Sequence, residues 1–272
     1  MNPYIITCGS TVDLSKSELE SLDIPYICFR YELDGKEYID DLGQTLSYED
    51  FYTKLQNGST TKTTQINSTE FCDFFEPFFQ QGYDILHIII SSGLTGVINS
   101  AILAKNELQE KYPDRKIEIV DSLAASCGYG ILVEELCKQQ KEGKSLEELC
   151  QWIESNRLNM HHWFFSNDLS FYIKGGRISK TAGYIGNVLG ICPLLNMDVN
   201  GKLKLRDKIR GQKRIIKTIV AQMIEHVQNG LDYSGPCYVS HSLSLPEAHS
   251  VAQLVEDTFP NLKGKVKINP IG

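Results

Sequence analysis

The chain has 272 residues and a formal net charge of −7, which leaves room for one large domain or two modest ones and argues against nucleic acid as the main partner. No segment approaches the ~20 consecutive apolar residues of a membrane span, and Met1-Asn2-Pro3-Tyr4 has neither a basic nor an apolar leader region. Eight scattered cysteines without a C-x-x-C pair fit reduced thiols in a cytoplasmic protein better than a disulfide framework or a zinc site.

Tyr4-Ile5-Ile6-Thr7 reads as a first strand, followed by Gly9-Ser10-Thr11-Val12-Asp13. Ser15 with Glu18, Ser47 with Asp50 and Asn67 with Glu70 are three helix starts of capping-box form. The pairs Leu14/Leu19, Leu46/Phe51 and Ile66/Phe71 stand where a hydrophobic staple would. Between the first two starts, Tyr26–Leu33 and Lys36–Ile39 flank Asp34-Gly35, a tight hairpin signal. Asp40-Asp41 beyond it reads as a solvated acidic turn. Tyr83–Ile90 is short, β-branched and apolar, as a strand buried on both faces should be. It runs into Ser91-Ser92-Gly93-Leu94-Thr95-Gly96, and Val97, Ala101, Ala104 and Leu108 then recur at helical spacing. A hydroxyl- and glycine-rich loop therefore joins a buried strand to a helix N-terminus, where free N–H groups and the helix dipole favour an anion.

Lys116–Val120 is the next strand, ending in Asp121-Ser122. Tyr129, Leu132, Val133 and Leu136 mark a helix that stops at Gly143, and Ser145 with Glu148 opens another. Alternating strands and helices imply βαβ units and a largely parallel sheet, whose ligands bind at the carboxyl ends of the strands. The texture changes near Asn159. The fold expected is two α/β domains: residues 1–160, a mostly parallel sheet flanked by helices, and residues 161–272, a smaller α/β domain. The second has a strand at Trp163–Ser166, a short helix from Leu169 to Lys174 and a glycine-rich stretch from Thr181 to Ile191. A hairpin turning at Asn200-Gly201 and an amphipathic helix through Ile215, Ile219, Met223 and Val227 follow. Tyr238–Ser240, a helix after Pro246 and Val266–Ile268 complete it.

The chemical signal is a set of hydroxyls: Ser10, Thr11, Thr63, Thr64, Ser91, Ser92, Thr95 and Ser122, with Gly93 among them. Singly these are ordinary turn and cap residues. Gathered at one sheet edge, they can hold a carboxylate by charge-assisted hydrogen bonds without an arginine clamp. A hydrolase with a hydroxyl nucleophile would need a base oriented by a third group. No G-x-S-x-G elbow is present, and His87 lies inside a strand. Gly93-Leu94-Thr95-Gly96 lacks the Lys-Ser/Thr ending of a P-loop, and no clustered ligands suggest a metal. From Lys202 to Lys217 the only acid is Asp207, among Lys202, Lys204, Arg206, Lys208, Arg210, Lys213, Arg214 and Lys217. That stretch reads either as a docking face for an anionic partner or as a solvated strand edge guarded by lysines.

These residues also carry a resemblance along the whole chain. Gly9-Ser10-Thr11-Val12-Asp13-Leu14 resembles the opening D-S-T-x-D-L of the DegV family of bacterial fatty-acid-binding proteins, with glycine for the first aspartate. Thr63-Thr64-Gln65-Ile66-Asn67 is similar to its T-S-Q-P-S, and Ser91–Gly96 to its S-S-x-L-S-G. Val120-Asp121-Ser122 and Lys174-Gly175-Gly176-Arg177-Ile178-Ser179 match V-D-S and K-G-G-R-I-S. The resemblance implies a non-enzymic carrier with a long-chain fatty acid between two α/β domains. It places the carboxylate on the hydroxyl cluster, with Thr63 and Thr95 as its direct ligands, and the tail in the second domain, where Ile185, Val188 and Leu189 are candidate lining. It implies no cofactor beyond the bound acid, and a fatty acid kinase as partner, docked at Arg177 and Arg210. A cytoplasmic monomer with transient membrane contact is expected. A regulatory lipid sensor without a kinase is the alternative, beside the hydrolase. The family continues past its last I-G with x-H-x-G-P-G, and that histidine joins the carboxylate network. Here the sequence stops at Ile271-Gly272. Either the chain is cut short or it lacks the histidine, and without it weaker acid binding and an incomplete last strand are expected.

Overall fold

Strand β1 (Tyr4–Gly9) is the second of four parallel strands in a computed structural model that describes residues 2–179 and 190–272. Its neighbours are β2 (Tyr26–Ile27) on one side and β6 (Asp84–Ile89), then β7 (Ile117–Asp121), on the other. All six residues of β6 are buried, which is why the run reads as continuously apolar rather than alternating. The chain divides into one unit of Met1–Met160 with Gly272 and a second of His161–Ile271.

In the first unit α1 (Lys16–Ser21), α3 (Ser68–Gln80) and α6 (Leu146–Asn156) each open with a complete capping box, on Ser15, Asn67 and Ser145. At α2 (Tyr48–Gln56) Ser47 caps the Asp50 N–H, but no reciprocal bond to the Ser47 N–H forms. Asp50 instead accepts the Ser47 hydroxyl proton; aspartate is one methylene shorter than the glutamate of a capping box. On one face of the sheet, Phe71, Phe75 and Phe79 of α3 share a core with Val97, Ala101, Ala104 and Leu108 of α4 (Val97–Lys111). Helix α5 (Ser126–Lys141) packs on β1 and on α6. Its Gly130 is required by close approach, since a Cβ there would lie 2.8 Å from the Val12 carbonyl oxygen.

A second, antiparallel sheet of β4 (Lys36–Ile39), β3 (Arg30–Leu33) and β5 (Thr61–Thr64) completes the unit. Asp34 (φ 51°) and Gly35 (φ 82°) both take left-handed backbone at its hairpin, as the Asp-Gly signal requires. One expectation is corrected here. The run Tyr26–Leu33 is not one strand: Tyr26–Ile27 joins β1, and the chain breaks at Cys28-Phe29 before entering the hairpin. Thr61–Thr64 is a strand with no counterpart among the sequence expectations: all four of its residues are exposed, so no hydrophobic alternation marks it.

The second unit begins with β8 (Trp163–Phe165), β9 (Ile191–Met197) and β10 (Leu203–Arg210), antiparallel in the order β10-β9-β8. The turn between β9 and β10 is wider than an Asn-Gly pair: the Asp198 carboxylate accepts the N–H groups of Asn200 and Lys202. Helix α7 (Ser170–Lys174) precedes Gly175-Gly176, and Ile173 packs near Leu195 and Ile178. Helix α8 (Gln212–His226) places Ile216 and Ile219 against two cores, one with Cys192 and Leu194 and the other with Val251, Val255 and Phe259. Strand β11 (Tyr238–His241), helix α9 (Leu245–Thr258) and strand β12 (Lys267–Pro270) close the unit, with β11 and β12 parallel. The glycine-rich stretch with Gly183 and Gly186, the candidate lining residues Ile185, Val188 and Leu189, and Lys180 lie outside the described residues. All eight cysteines are free thiols, and no described helix is long and apolar enough to cross a membrane.

Candidate functional site

The carboxyl edge of the parallel sheet is opened by one tyrosine. Strands β1 and β6 pair as far as Thr7 and His87. Beyond that point the fully buried Tyr129 of α5 accepts the Gly9 N–H (3.0 Å) and donates to the Ile88 carbonyl (2.5 Å). Its hydroxyl thus satisfies two backbone groups that the ending ladder would otherwise strand. Gly9 itself has no room for a side chain, because a Cβ would lie 2.9 Å from the Phe29 ring.

Most hydroxyls on this edge are committed to the protein. Ser10 is buried, donates to Asp40 (2.6 Å) and accepts the Phe29 N–H (3.0 Å). Asp40 is therefore not a solvated turn residue: burial pushes its carboxyl above the usual range, against the Ser10 hydroxyl bond that lowers it. Ser91 is fully buried and its Oγ accepts the Gly93 N–H (3.1 Å). Ser122, also fully buried, closes a local turn with the N–H and carbonyl of Ala124. Thr11 Oγ1 is buried without a partner among the described residues.

The 91–96 loop spends backbone donors on acceptors within the protein. The Asp121 carboxylate accepts the N–H groups of Ser92 (3.1 Å) and Leu123 (3.0 Å), which ties the loops after β6 and β7 together. The Leu94 and Thr95 N–H groups both point to the Ser91 carbonyl. The expected cradle of free N–H groups is to that extent filled from within. Side-chain hydroxyls are what the loop has left: Ser92 is exposed and Thr95 half-buried.

Thr63 and Thr64 lie on β5, opposite Tyr31 and Arg30 of β3, and both are exposed. Arg30 braces this sheet against α3 through Glu70 (3.0 Å), which also accepts the Asn67 N–H in the capping box. One residue past β5, Gln65 donates through Nε2 to Thr95 Oγ1 at 3.1 Å. The T-T-Q segment and the 91–96 loop are thus joined side chain to side chain. No motif in the sequence gives Gln65 a role or marks Tyr129 as more than a core residue. Nor does any give a role to Asp13, whose buried carboxylate accepts the Gly272 N–H (3.0 Å). Burial pushes the Asp13 carboxyl up to about 7, against the bonds from Gly272 and Ser126 that hold it down.

In the second unit Arg177 follows α7, donating to the Gly175 carbonyl (2.6 Å), and Arg210 ends β10; both are exposed. Among the described residues no group of three or more His, Cys, Asp or Glu could hold a metal ion.

A parallel α/β sheet flanked by helices, with hydroxyl-bearing loops at its carboxyl edge, defines the class of protein. A family model described as "Uncharacterised protein, DegV family" matches residues 4–272, and the chain belongs to the DegV family. A DegV domain-containing protein of Clostridium perfringens is 36% identical over 260 residues, covering 96% of this chain and 89% of its own length. Among solved structures, a fatty acid binding DegV family protein from Streptococcus agalactiae is 27% identical with a TM-score of 0.83, covering 100% of this chain and 93% of that one. The Streptococcus pneumoniae Fatty Acid Kinase (Fak) B3 protein, loaded with linoleic acid, is 22% identical with a TM-score of 0.82, covering 99% and 92%. A DegV family protein from Eubacterium eligens loaded with heptadecanoic acid has 22% identity and a TM-score of 0.84, covering 99% and 93%.

Proposed function

We propose that this chain binds one long-chain fatty acid, with the carboxylate on Thr63 and Thr95 and a supporting role for Ser92, and presents it to a fatty acid kinase without chemistry of its own. The observation that carries the reading is the Gln65 Nε2 bond to Thr95 Oγ1, which joins the exposed T-T-Q segment to the half-buried Thr95. It is joined by likeness over the whole chain to a fatty acid binding DegV protein. Neutral hydroxyl donors suit a carboxylate, and charge-assisted bonds of this kind contribute about 1.5–3 kcal/mol each. Burial of a sixteen-carbon tail at ~0.8 kcal/mol per methylene gives about 12 kcal/mol gross, before ordering costs. Tail burial thus sets affinity, and the threonines set which end is held. The non-enzymic reading is supported by His87: its Nδ1 lies 2.9 Å from Thr7 and its ring is wholly buried among Phe71, Phe74 and Phe75. Burial holds that ring at a pKa of about 3, a poor general base at neutral pH. The kinase reading is supported by likeness to the Streptococcus pneumoniae protein and by the exposed basic residues of β10. Solvent extraction of the purified chain followed by mass spectrometry is expected to return near-equimolar long-chain fatty acid. Protein that emerges empty and then refuses added palmitate or oleate overturns the reading.

A further inference from the structure

The Thr95 hydroxyl has its two acceptor positions filled. Gln65 Nε2 donates to Oγ1 from 3.1 Å, and the Val97 N–H, in the first turn of α4, donates to the same oxygen from 3.4 Å. A hydroxyl oxygen offers two lone pairs and one proton. The Val97 N–H has no acceptor on nitrogen and cannot reverse its role, and the Gln65 amide stands with Nε2, not its oxygen, towards Thr95. What Thr95 retains is its proton, and Oγ1 is half-buried at the loop that follows β6.

We propose that Gln65 is a positioning residue that makes Thr95 an obligate hydrogen-bond donor, so that the site selects an acceptor-only head group, the ionised carboxylate, over an alcohol. The inference rests on the fatty-acid reading above and adds to it a specificity determinant outside the two threonines. Free of Gln65, the hydroxyl could rotate to accept the O–H of an alcohol, a bond that an ionised carboxylate cannot make; held as a donor, it gains most from the charged acceptor. Gln65 is well placed for the task. Its backbone follows directly from β5, whose register on β3 is fixed, and the next residue, Ile66, is buried. The amide is therefore presented to Thr95 from a braced backbone segment.

The test uses the delipidated whole chain and compares oleate with oleyl alcohol, each by competition against labelled oleate. Wild type is expected to prefer oleate. Gln65→Met, which keeps length and removes the donor, is expected to lose about fivefold in oleate affinity, the worth of one ordinary hydrogen bond. Its affinity for oleyl alcohol should hold within about twofold of wild type. In a Thr95→Val background the same Gln65→Met change should have no further effect, because the group it acts through is gone. An unchanged oleate affinity in Gln65→Met overturns the proposal, as does an undiminished Gln65→Met effect in the Thr95→Val background. Loss of oleate and oleyl alcohol together also overturns it, since that marks general damage to the site. Failure of wild type to bind oleate at all brings down the fatty-acid reading and this inference with it, a result distinct from the other three.

Discussion

Replacing Thr95 by valine removes a hydroxyl while keeping shape and β-branching, so the loop that buries Ser91 and Val97 should keep its conformation. Loss of a charge-assisted bond of about 1.5–3 kcal/mol predicts an oleate affinity weaker by about ten- to hundredfold, beside a small drop in the urea unfolding midpoint from the Val97 N–H left without its hydroxyl partner. Unchanged affinity would move the anchor elsewhere on the edge. Of the hydroxyls singled out in the sequence, Thr63, Thr64, Ser92 and Thr95 are exposed or half-buried, whereas Ser10, Ser91 and Ser122 are buried and hold the loops in shape. Residue type alone could not separate these groups, because a serine that caps a turn and one that faces a ligand have the same side chain. The distinction lies in whether a backbone N–H or carboxylate from another part of the chain reaches it first, as the Phe29 N–H and Asp40 reach Ser10.

At the scale of elements, Tyr129 decides how the edge opens. A Tyr129→Phe change leaves the Gly9 N–H and Ile88 carbonyl buried without their partner, and should cost about 2–4 kcal/mol, read as a lower urea midpoint. A midpoint equal to wild type would show that the two backbone groups find other partners. Strand β10, in the second unit, carries an exposed basic face. A register shift between Leu205 and Asp207 interrupts its alternation, so Arg206, Asp207 and Lys208 are all exposed, and Arg210 continues the face. Arg210→Ala should leave oleate affinity intact and slow acyl phosphate formation by a cognate kinase about tenfold, if the face docks a partner. Equal rates would return β10 to the solvated-edge reading, which fits its edge position in the sheet. The clear elements of the sequence were those with strong periodicity or caps: β6, α4 with its Val97-Ala101-Ala104-Leu108 face, and the three complete capping boxes. Strand β5 was illegible because every residue of it is exposed.

For the whole molecule, two buried groups give stability opposite pH dependences. His87 has a folded pKa of about 3, below its ordinary 6.5, through burial. The folded protein refuses a proton that the unfolded chain accepts, so this stability is present above pH 6.5 and lost as pH falls towards 3. Asp13 is raised from 3.8 to about 7 by burial. The folded protein holds a proton that the unfolded chain releases, so its contribution is complete below pH 3.8 and lost as pH rises through 7. Between about pH 4 and 6.5 the two slopes oppose each other. Asp13→Asn keeps an oxygen for the Gly272 N–H and suits the left-handed backbone at φ 51°. It should make stability rise with pH relative to wild type by about 1.4 kcal/mol per pH unit, measured as urea unfolding free energies from pH 4.5 to 6.5. Parallel wild-type and variant curves would show that Asp13 does not titrate in this window.

The sequence by itself determined the local structure and the family, because strand burial, caps and helical faces are written in near neighbours, and the D-S-T-like, S-S-x-L-S-G-like and K-G-G-R-I-S segments are contiguous. It also sent the loops after β1, β6 and β7 to one sheet edge, since a parallel βαβ order points every strand end the same way. Only the tertiary structure decided which hydroxyls remain available and what holds them. Gln65 meets Thr95 thirty residues on, Tyr129 reaches Gly9 across 120, and Asp13 meets Gly272 across 259. Hydrogen bonds are short-ranged and directional, so which of many polar side chains pair is settled by packing, not by spacing along the chain.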